Sequence, residues 1–240
     1  MKTLRHRISG LIKEQVLRHY GIPFSRLGLE SGLVPFLSSR AAITLVDIGA
    51  SNGEFSAAIQ DHCGIRLAVL IEPQPQRCRE LKERFADERF LIWNCALSDR
   101  NGQADMDILN FDYSSSLLQI KPEVGGVGKF VDVGIRERIE VQVSTLDSLL
   151  VEAGWNEPID LLKIDVQGAE LHVLKGAQRS LRRTRLIWTE VSFRALYERS
   201  AVFAEVYEFL NEQGFRLCSL QDGFRGEGRE LLQGDALFCR

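Results

Sequence analysis

LVDIGASNGEFS, residues 45–56, decides the fold. Its opening LVDI has the length and apolar character of a buried strand, and a stretch of helical spacing begins at Glu54. Between them Gly49 and Gly53 make the turn from strand to helix, because neither carries a Cβ to obstruct a tight reversal or a close ligand. The free N–H groups at the start of the following helix can receive a carboxylate or a phosphate. The spacing is DxGAxxG rather than GxGxxG: Ser51 occupies the place of the glycine that admits a pyrophosphate.

Working outward, strands are expected at 44–48, 66–71, 90–93, 159–166 and 185–191, and helices at 54–61, 76–85, 169–181 and 203–213, the last closed by Gly214. This alternation predicts an α/β fold in which helices cover both faces of a mostly parallel sheet. Two closing runs, 215–220 and 230–239, flank the turn QDGFRGEGRE and predict an antiparallel edge hairpin. Between 97 and 150 helical repeats are few, strand-like runs occur at 103–109 and 138–143, and Gly125, Gly126 and Gly128 follow one another closely. So long an excursion reads as a lid or insert whose two strands pair beside the sheet.

A chain of 240 residues can bury one substantial core, and the 97–150 excursion falls inside that single domain. The formal net charge is −3 and the 30 Lys and Arg are dispersed, which argues against a nucleic-acid partner. Cys63, Cys78, Cys95, Cys218 and Cys239 form no CxxC pair and have no zinc-like spacing, so they read as reduced, mostly packed thiols of a cytoplasmic protein. The basic N-terminus lacks the apolar core of a signal peptide, and no run approaches the roughly 18 apolar residues that span a bilayer. Leu4, Ile8, Leu11, Ile12, Val16 and Leu17 fit an amphipathic helix within an N-terminal helical cap, residues 1–40; docking to a membrane surface or a partner is the other use of such a face.

In an open α/β sheet, ligands sit beyond the carboxyl ends of the strands, where connections diverge to opposite faces. Glu72 lies at the second strand end, 23 residues after Gly49, where a carboxylate can accept hydrogen bonds from both hydroxyls of an adenosine ribose and would repel a 2′-phosphate. Among adenosine cofactors S-adenosylmethionine fits better than NAD: it has no pyrophosphate, its carboxylate can meet the loop amides, and Asp47 would stand near its ammonium and sulfonium charges. None of the four tyrosines precedes a lysine by three residues, as a short-chain dehydrogenase would require.

The strings LVDIGASNGEFS, LIEPQPQRCREL, NCALSDRNG, STLDSL and above all IDLLKIDVQGAELHVLKGA make the chain resemble the FkbM-type S-adenosylmethionine-dependent methyltransferases, from about 45 to 191 and more weakly to the C-terminus. The resemblance implies a seven-stranded, Rossmann-like class I sheet, with 41–240 as the methyltransferase domain. It also implies O-methylation of a small hydroxyl compound or glycan, often a sugar or a secondary metabolite. By the same resemblance Asp47, Gly49, Ala50, Asn52 and Gly53 would line the methionine end, Glu72 with the adjoining Pro73 the ribose, and Asn94, Ala96 and Asp99 the adenine, with Asp165 beside the transferring methyl group. Where many relatives carry Glu this chain has Gln167, which removes a carboxylate that could serve in metal binding or base catalysis.

Methyl transfer from a sulfonium is an in-line displacement, so orientation and exclusion of water are the main demands on the protein. An aliphatic hydroxyl also needs a base. Asp165 is the first candidate and Glu190, at the fifth strand end, the second. Together these two could share Mg²⁺, although a divalent metal is not the favoured reading. His172 reads as a surface or packing residue, while FDYSSSLL supplies Phe111 and Tyr113 as stacking surfaces and Ser114, Ser115 and Ser116 as hydroxyl partners for a polyhydroxylated acceptor. A module that binds the cofactor without turnover, as part of a biosynthetic complex, is the competing reading; N-methylation lacks its usual Asn/Asp-Pro-Pro-aromatic motif.

Overall fold

The computed structural model describes residues 32–37, 42–110, 116–127 and 134–240. The N-terminal helix read from 4–17 lies outside them, as do Phe111, Tyr113, Ser114, Ser115 and Gly128. Seven strands form one sheet: β1 (Ile43–Ile48), β2 (Ile65–Ile71), β3 (Phe90–Trp93), β7 (Ile159–Ile164), β8 (Thr184–Ser192), β9 (Arg216–Asp222) and β10 (Gln233–Cys239). Their order is β3-β2-β1-β7-β8-β10-β9. The first five run parallel, and β10 pairs antiparallel with both β8 and β9, which is the expected edge hairpin.

Alternation along the strands builds two apolar layers. Ile43 and Leu45 of β1, with Ala68, Leu70 and Leu161, pack against Ile59 of α2 (Glu54–Cys63) and Leu81 of α3 (Pro75–Arg84), and Leu33 and Leu37 at the ends of α1 (Val34–Leu37) join this layer. Val46, Ile48, Val69, Leu162 and Ile164 face the other way, onto α4 (Leu146–Glu152), α5 (Glu170–Lys175), α6 (Gln178–Leu181) and α7 (Phe203–Glu212). Among the described residues no helix is long and apolar enough to cross a membrane.

Inside the 97–150 insert the two expected strands pair antiparallel as β5 (Gly102–Leu109) and β6 (Ile135–Ser144), and β4 (Ala96–Leu97) completes a separate three-stranded sheet. Helix α4 was not foreseen there. Thr145 caps it by accepting the Ser148 N–H at 3.1 Å, and Leu146, Leu149 and Leu150 are its buried stripe. The single helix expected at 169–181 is two: the chain breaks at Gly176 and Ala177, and the Asp147 carboxylate caps the second piece by accepting from Arg179 N, Ser180 N and the Ser180 hydroxyl.

The cysteine reading also needs correcting. Cys218 and Cys239 form a disulfide across the terminal hairpin, their Cα atoms 6.1 Å apart. Strand pairing brings together two residues 21 apart in sequence, a proximity that spacing alone does not reveal. Cys63, Cys78 and Cys95 are free thiols.

Candidate active site

The carboxyl ends of β1, β2, β7 and β8 surround a cavity of about 300 Å³, with Gly49, Ser51, Glu72, Pro73, Asp165 and Glu190 on its wall and Ile71, Cys95, Ala96 and Leu97 as an apolar side. Met106, Ser116 and Leu117 of the insert close it from above. A second cleft of about 230 Å³ shares Gly49, Ser51, Asp165 and Glu190 with the first and adds Ala50, Asn52, Phe55, Lys163 and Trp188. Both lie where the sheet's connections diverge, the position at which open α/β sheets bind ligands.

Glu72 braces the two loops. One carboxylate oxygen accepts the Ser51 N–H and the other the Gln74 N–H, each at 2.9 Å, and each oxygen keeps a lone pair for a ligand hydroxyl. Burial pushes its pKa up, against the pull of those two amides and of Arg77 and Lys163. Arg77 donates to the Ser51 hydroxyl at 2.6 Å, which helps to hold Ser51 at φ 52. Asn94 is not on the cavity wall: its amide donates to the Glu72 and Pro73 carbonyls, both at 2.9 Å, and fixes the turn that carries them. Asp99 also lies off the wall, accepting from the Ser98 hydroxyl at 3.2 Å.

The glycines of the opening turn serve the protein itself. At Gly49, φ 74, an added Cβ would run into the Asp165 carbonyl, so the glycine lets the ends of β1 and β7 meet. Gly53 is packed against Leu81 and Phe85 rather than facing either cavity. Asn52 and Ala50 line the smaller cleft, and the Asn52 side chain accepts the Glu54 N–H at 3.3 Å at the head of α2.

Asp47 departs from expectation. It shares its face with Ile43 and Leu45, is fully buried, accepts from the Ser56 hydroxyl at 2.6 Å and lines neither cavity. Its other oxygen lies 3.3 Å from Nζ of Lys163, a residue the sequence reading gave no role. Lys163 donates to the Gly49 carbonyl at 2.7 Å and stands 3.6 Å from Asp165. Burial opposes its charge, but Asp47 and Asp165 outweigh that and hold its pKa above the ordinary lysine value. A lone lysine in the otherwise apolar run IDLLKI was the available signal, since such a charge is almost never buried without a partner.

Asp165 and Glu190 come together around Gln167. The Gln167 amide nitrogen lies 2.9 Å from Asp165 Oδ1 and 3.4 Å from Glu190 Oε2, and Gln233 donates to the same Glu190 oxygen at 2.8 Å. Burial raises the Glu190 pKa well above the ordinary value, and the nearby charges of Asp165, Glu170 and Asp235 add to the rise. Glu170 secures the turn from below by accepting the Val166 and Gly168 N–H groups, both at 3.1 Å, and burial lifts its pKa to about 7. Ser116 donates to the Gln167 carbonyl at 2.6 Å, tying the insert to this turn. His172 lies on α5 beside a surface hollow, away from both cavities. Among the described residues no three His, Cys, Asp or Glu side chains converge as a metal site would require. Chemically, the arrangement offers a hydroxyl-binding carboxylate at one end, an apolar wall beside it, and a carboxylate pair at the other.

A family model described as the methyltransferase FkbM domain matches residues 47–217. The 2-O-methyltransferase NoeI of Sinorhizobium fredii is 30% identical over 224 residues, covering 88% of this chain and 90% of that protein. A solved methyltransferase FkbM from Methylobacillus flagellatus superposes with a TM-score of 0.58 at 17% identity, over 93% of this chain. This chain spans 50% of that longer one, and the likeness is one of fold.

Proposed function

The chain belongs to the FkbM methyltransferase family, and from that premise we propose that it is an S-adenosylmethionine-dependent O-methyltransferase acting on a hydroxyl of a small molecule or glycan. The observation that carries this reading is the continuous wall from Glu72, past Gly49 and Ser51, to Asp165 and Glu190. Its residues suit the donor. Glu72 has lone pairs left for the two ribose hydroxyls, and Ile71, Pro73, Cys95, Ala96 and Leu97 give a purine an apolar slot. Gly49, Ala50, Ser51 and Asn52 would border the methionine end, with Lys163 placed to meet its carboxylate and Asp165 its ammonium or the reacting centre.

When bound, the donor supplies a methyl group made electrophilic by a sulfonium. The protein orients the two reactants and keeps water away, and the insert, acting as a lid through Met106, Ser116 and Leu117, closes the side opposite the sheet. Asp165, with a side chain 42% exposed, is the group that would take the acceptor proton. Glu190, whose pKa is raised by burial and by Asp165, would hold a proton and steady the pair. The loss of a carboxylate at Gln167 therefore does not empty the site of carboxylates, which favours turnover over a silent binding module. A hydroxyl acceptor is supported by the named activity of the NoeI relative, a 2-O-methyltransferase. Asn94 and Asp47 enter as supports of Glu72 and Lys163, and no role for a metal is part of the proposal.

Calorimetric titration of S-adenosylmethionine tests it. Wild type should bind, and Glu72→Gln should bind about 10 to 100-fold more weakly through loss of one or two charge-assisted hydrogen bonds. Absence of binding to the wild type, or equal affinity in the variant, would overturn the assignment.

A further inference from the structure

We propose that Tyr197 is a positioning residue for this reaction, its hydroxyl fixing the Gln167 carboxamide so that the amide nitrogen sits between Asp165 and Glu190. The proposal rests on the function given above, and its geometry stands apart from that function.

Tyr197 is buried on the stretch that follows β8, and its hydroxyl lies 2.8 Å from Gln167 Oε1. A glutamine amide can be placed either way round, and the partners decide which. On one side stand two carboxylates, which in their ionised form only accept; on the other stands a hydroxyl, which can donate. A single orientation satisfies all three: N–H groups toward Asp165 at 2.9 Å and Glu190 at 3.4 Å, and the oxygen toward Tyr197. The reverse orientation would set the amide oxygen against a carboxylate pair.

Tyr197 is itself held on both flanks by the insert. Lys121 N donates to the Leu196 carbonyl and Glu198 N to the Gln119 carbonyl, both at 2.7 Å, and Tyr197 pairs with Ile120 in an isolated antiparallel bridge. Its ring lies against Gly168, where an added Cβ would come within 2.7 Å of it. Gln167 has φ 55, an uncommon backbone state for a residue with a side chain, so its amide enters the site from a turn that the surrounding structure must maintain. The charged groups that face this pair are Lys163 from β7, Glu170 from α5 and Asp235 from β10, and none of them touches the Gln167 oxygen in place of Tyr197.

The test is Tyr197→Phe, which keeps the ring and removes the donor. The side-chain amide protons of Gln167, identified in ¹⁵N-labelled protein by their disappearance in Gln167→Leu, should exchange with solvent about tenfold faster in Tyr197→Phe than in wild type. With methyl hexosides as acceptors, kcat should fall about tenfold while KM for S-adenosylmethionine stays within about twofold. In the Gln167→Leu background the same substitution should change kcat no further. Unchanged Gln167 amide exchange, or a kcat loss that persists in full without Gln167, overturns the proposal. The amide measurement needs no turnover, so it decides the role of Tyr197 even if the wild type transfers no methyl group, a result that would count against the function instead.

Discussion

Lys163→Met takes one ammonium out of the sheet and leaves a side chain of similar length in its place. Three contacts go: the hydrogen bond to the Gly49 carbonyl at 2.7 Å, the 3.3 Å pairing with Asp47 and the 3.6 Å approach to Asp165. They are not equal. Asp165 is 42% exposed on its side chain, so water screens its share and the pairing is worth little. Asp47 is fully buried, and its Oδ1 has no hydrogen-bond partner. Without Lys163 its charge would be answered by the Ser56 hydroxyl alone, and breaking a buried pair in this way costs about 3–5 kcal/mol. That is a large part of the roughly 5–15 kcal/mol by which a domain is stable. The double variant Asp47→Asn with Lys163→Met should be more stable than Lys163→Met alone, because no orphaned charge remains. Urea denaturation followed by circular dichroism measures both. A loss below about 1 kcal/mol for Lys163→Met, or strict additivity in the double variant, would refute the argument that Asp47 depends on Lys163.

Two further outcomes follow from the same site. Gly49→Ala should cost more than the roughly 1 kcal/mol expected for placing alanine in a left-handed conformation, since its Cβ would displace the Asp165 carbonyl; a melting temperature within a few degrees of wild type would count against it. Glu170 titrates near about 7 in the folded protein against 4.5 for the free group, so between those values the native state holds a proton that the unfolded chain has lost. Stability should therefore fall as pH rises through that window, by at most about 3 kcal/mol, and Glu170→Gln should flatten the fall without abolishing it, because Glu72 and Glu190 are shifted the same way. Melting curves across that range that keep the wild-type slope in Glu170→Gln would exclude Glu170 as a source.

Much of the architecture was legible because apolar runs and helical spacing are repeated signals. The parallel strands, the terminal hairpin and the two strands of the insert are all where periodicity set them, within a few residues. Helix α4 escaped because it is short and lies in a stretch dominated by strands and glycines, although its Thr145 cap and its leucines were in plain view. The break at Gly176 depends on Asp147 reaching across from another helix, and the Cys218 and Cys239 bond depends on hairpin register, so neither can be read locally.

At the site, Glu72 and Asp165 were found because strand ends in this fold point at ligands. Asp47 shows the limit of that rule: strand parity, two residues after Leu45, already put it on the helix side and away from the cleft. Gln167 was noticed as a missing carboxylate. Its bridging of Asp165 and Glu190 needed three dimensions.

The stitching of the insert to the turn after β7 bears on how such enzymes can be re-engineered. Ser116 holds the Gln167 backbone, and Gln119 and Lys121 hold the chain on either side of Tyr197. A chimaera that imports another relative's 97–150 segment to change acceptor preference would also replace half of the fastenings of the catalytic turn. Grafts that carry the 116–121 and 196–198 stretches as one matched cassette should keep turnover, whereas transplanting the insert alone would trade a change of specificity for a loosened centre.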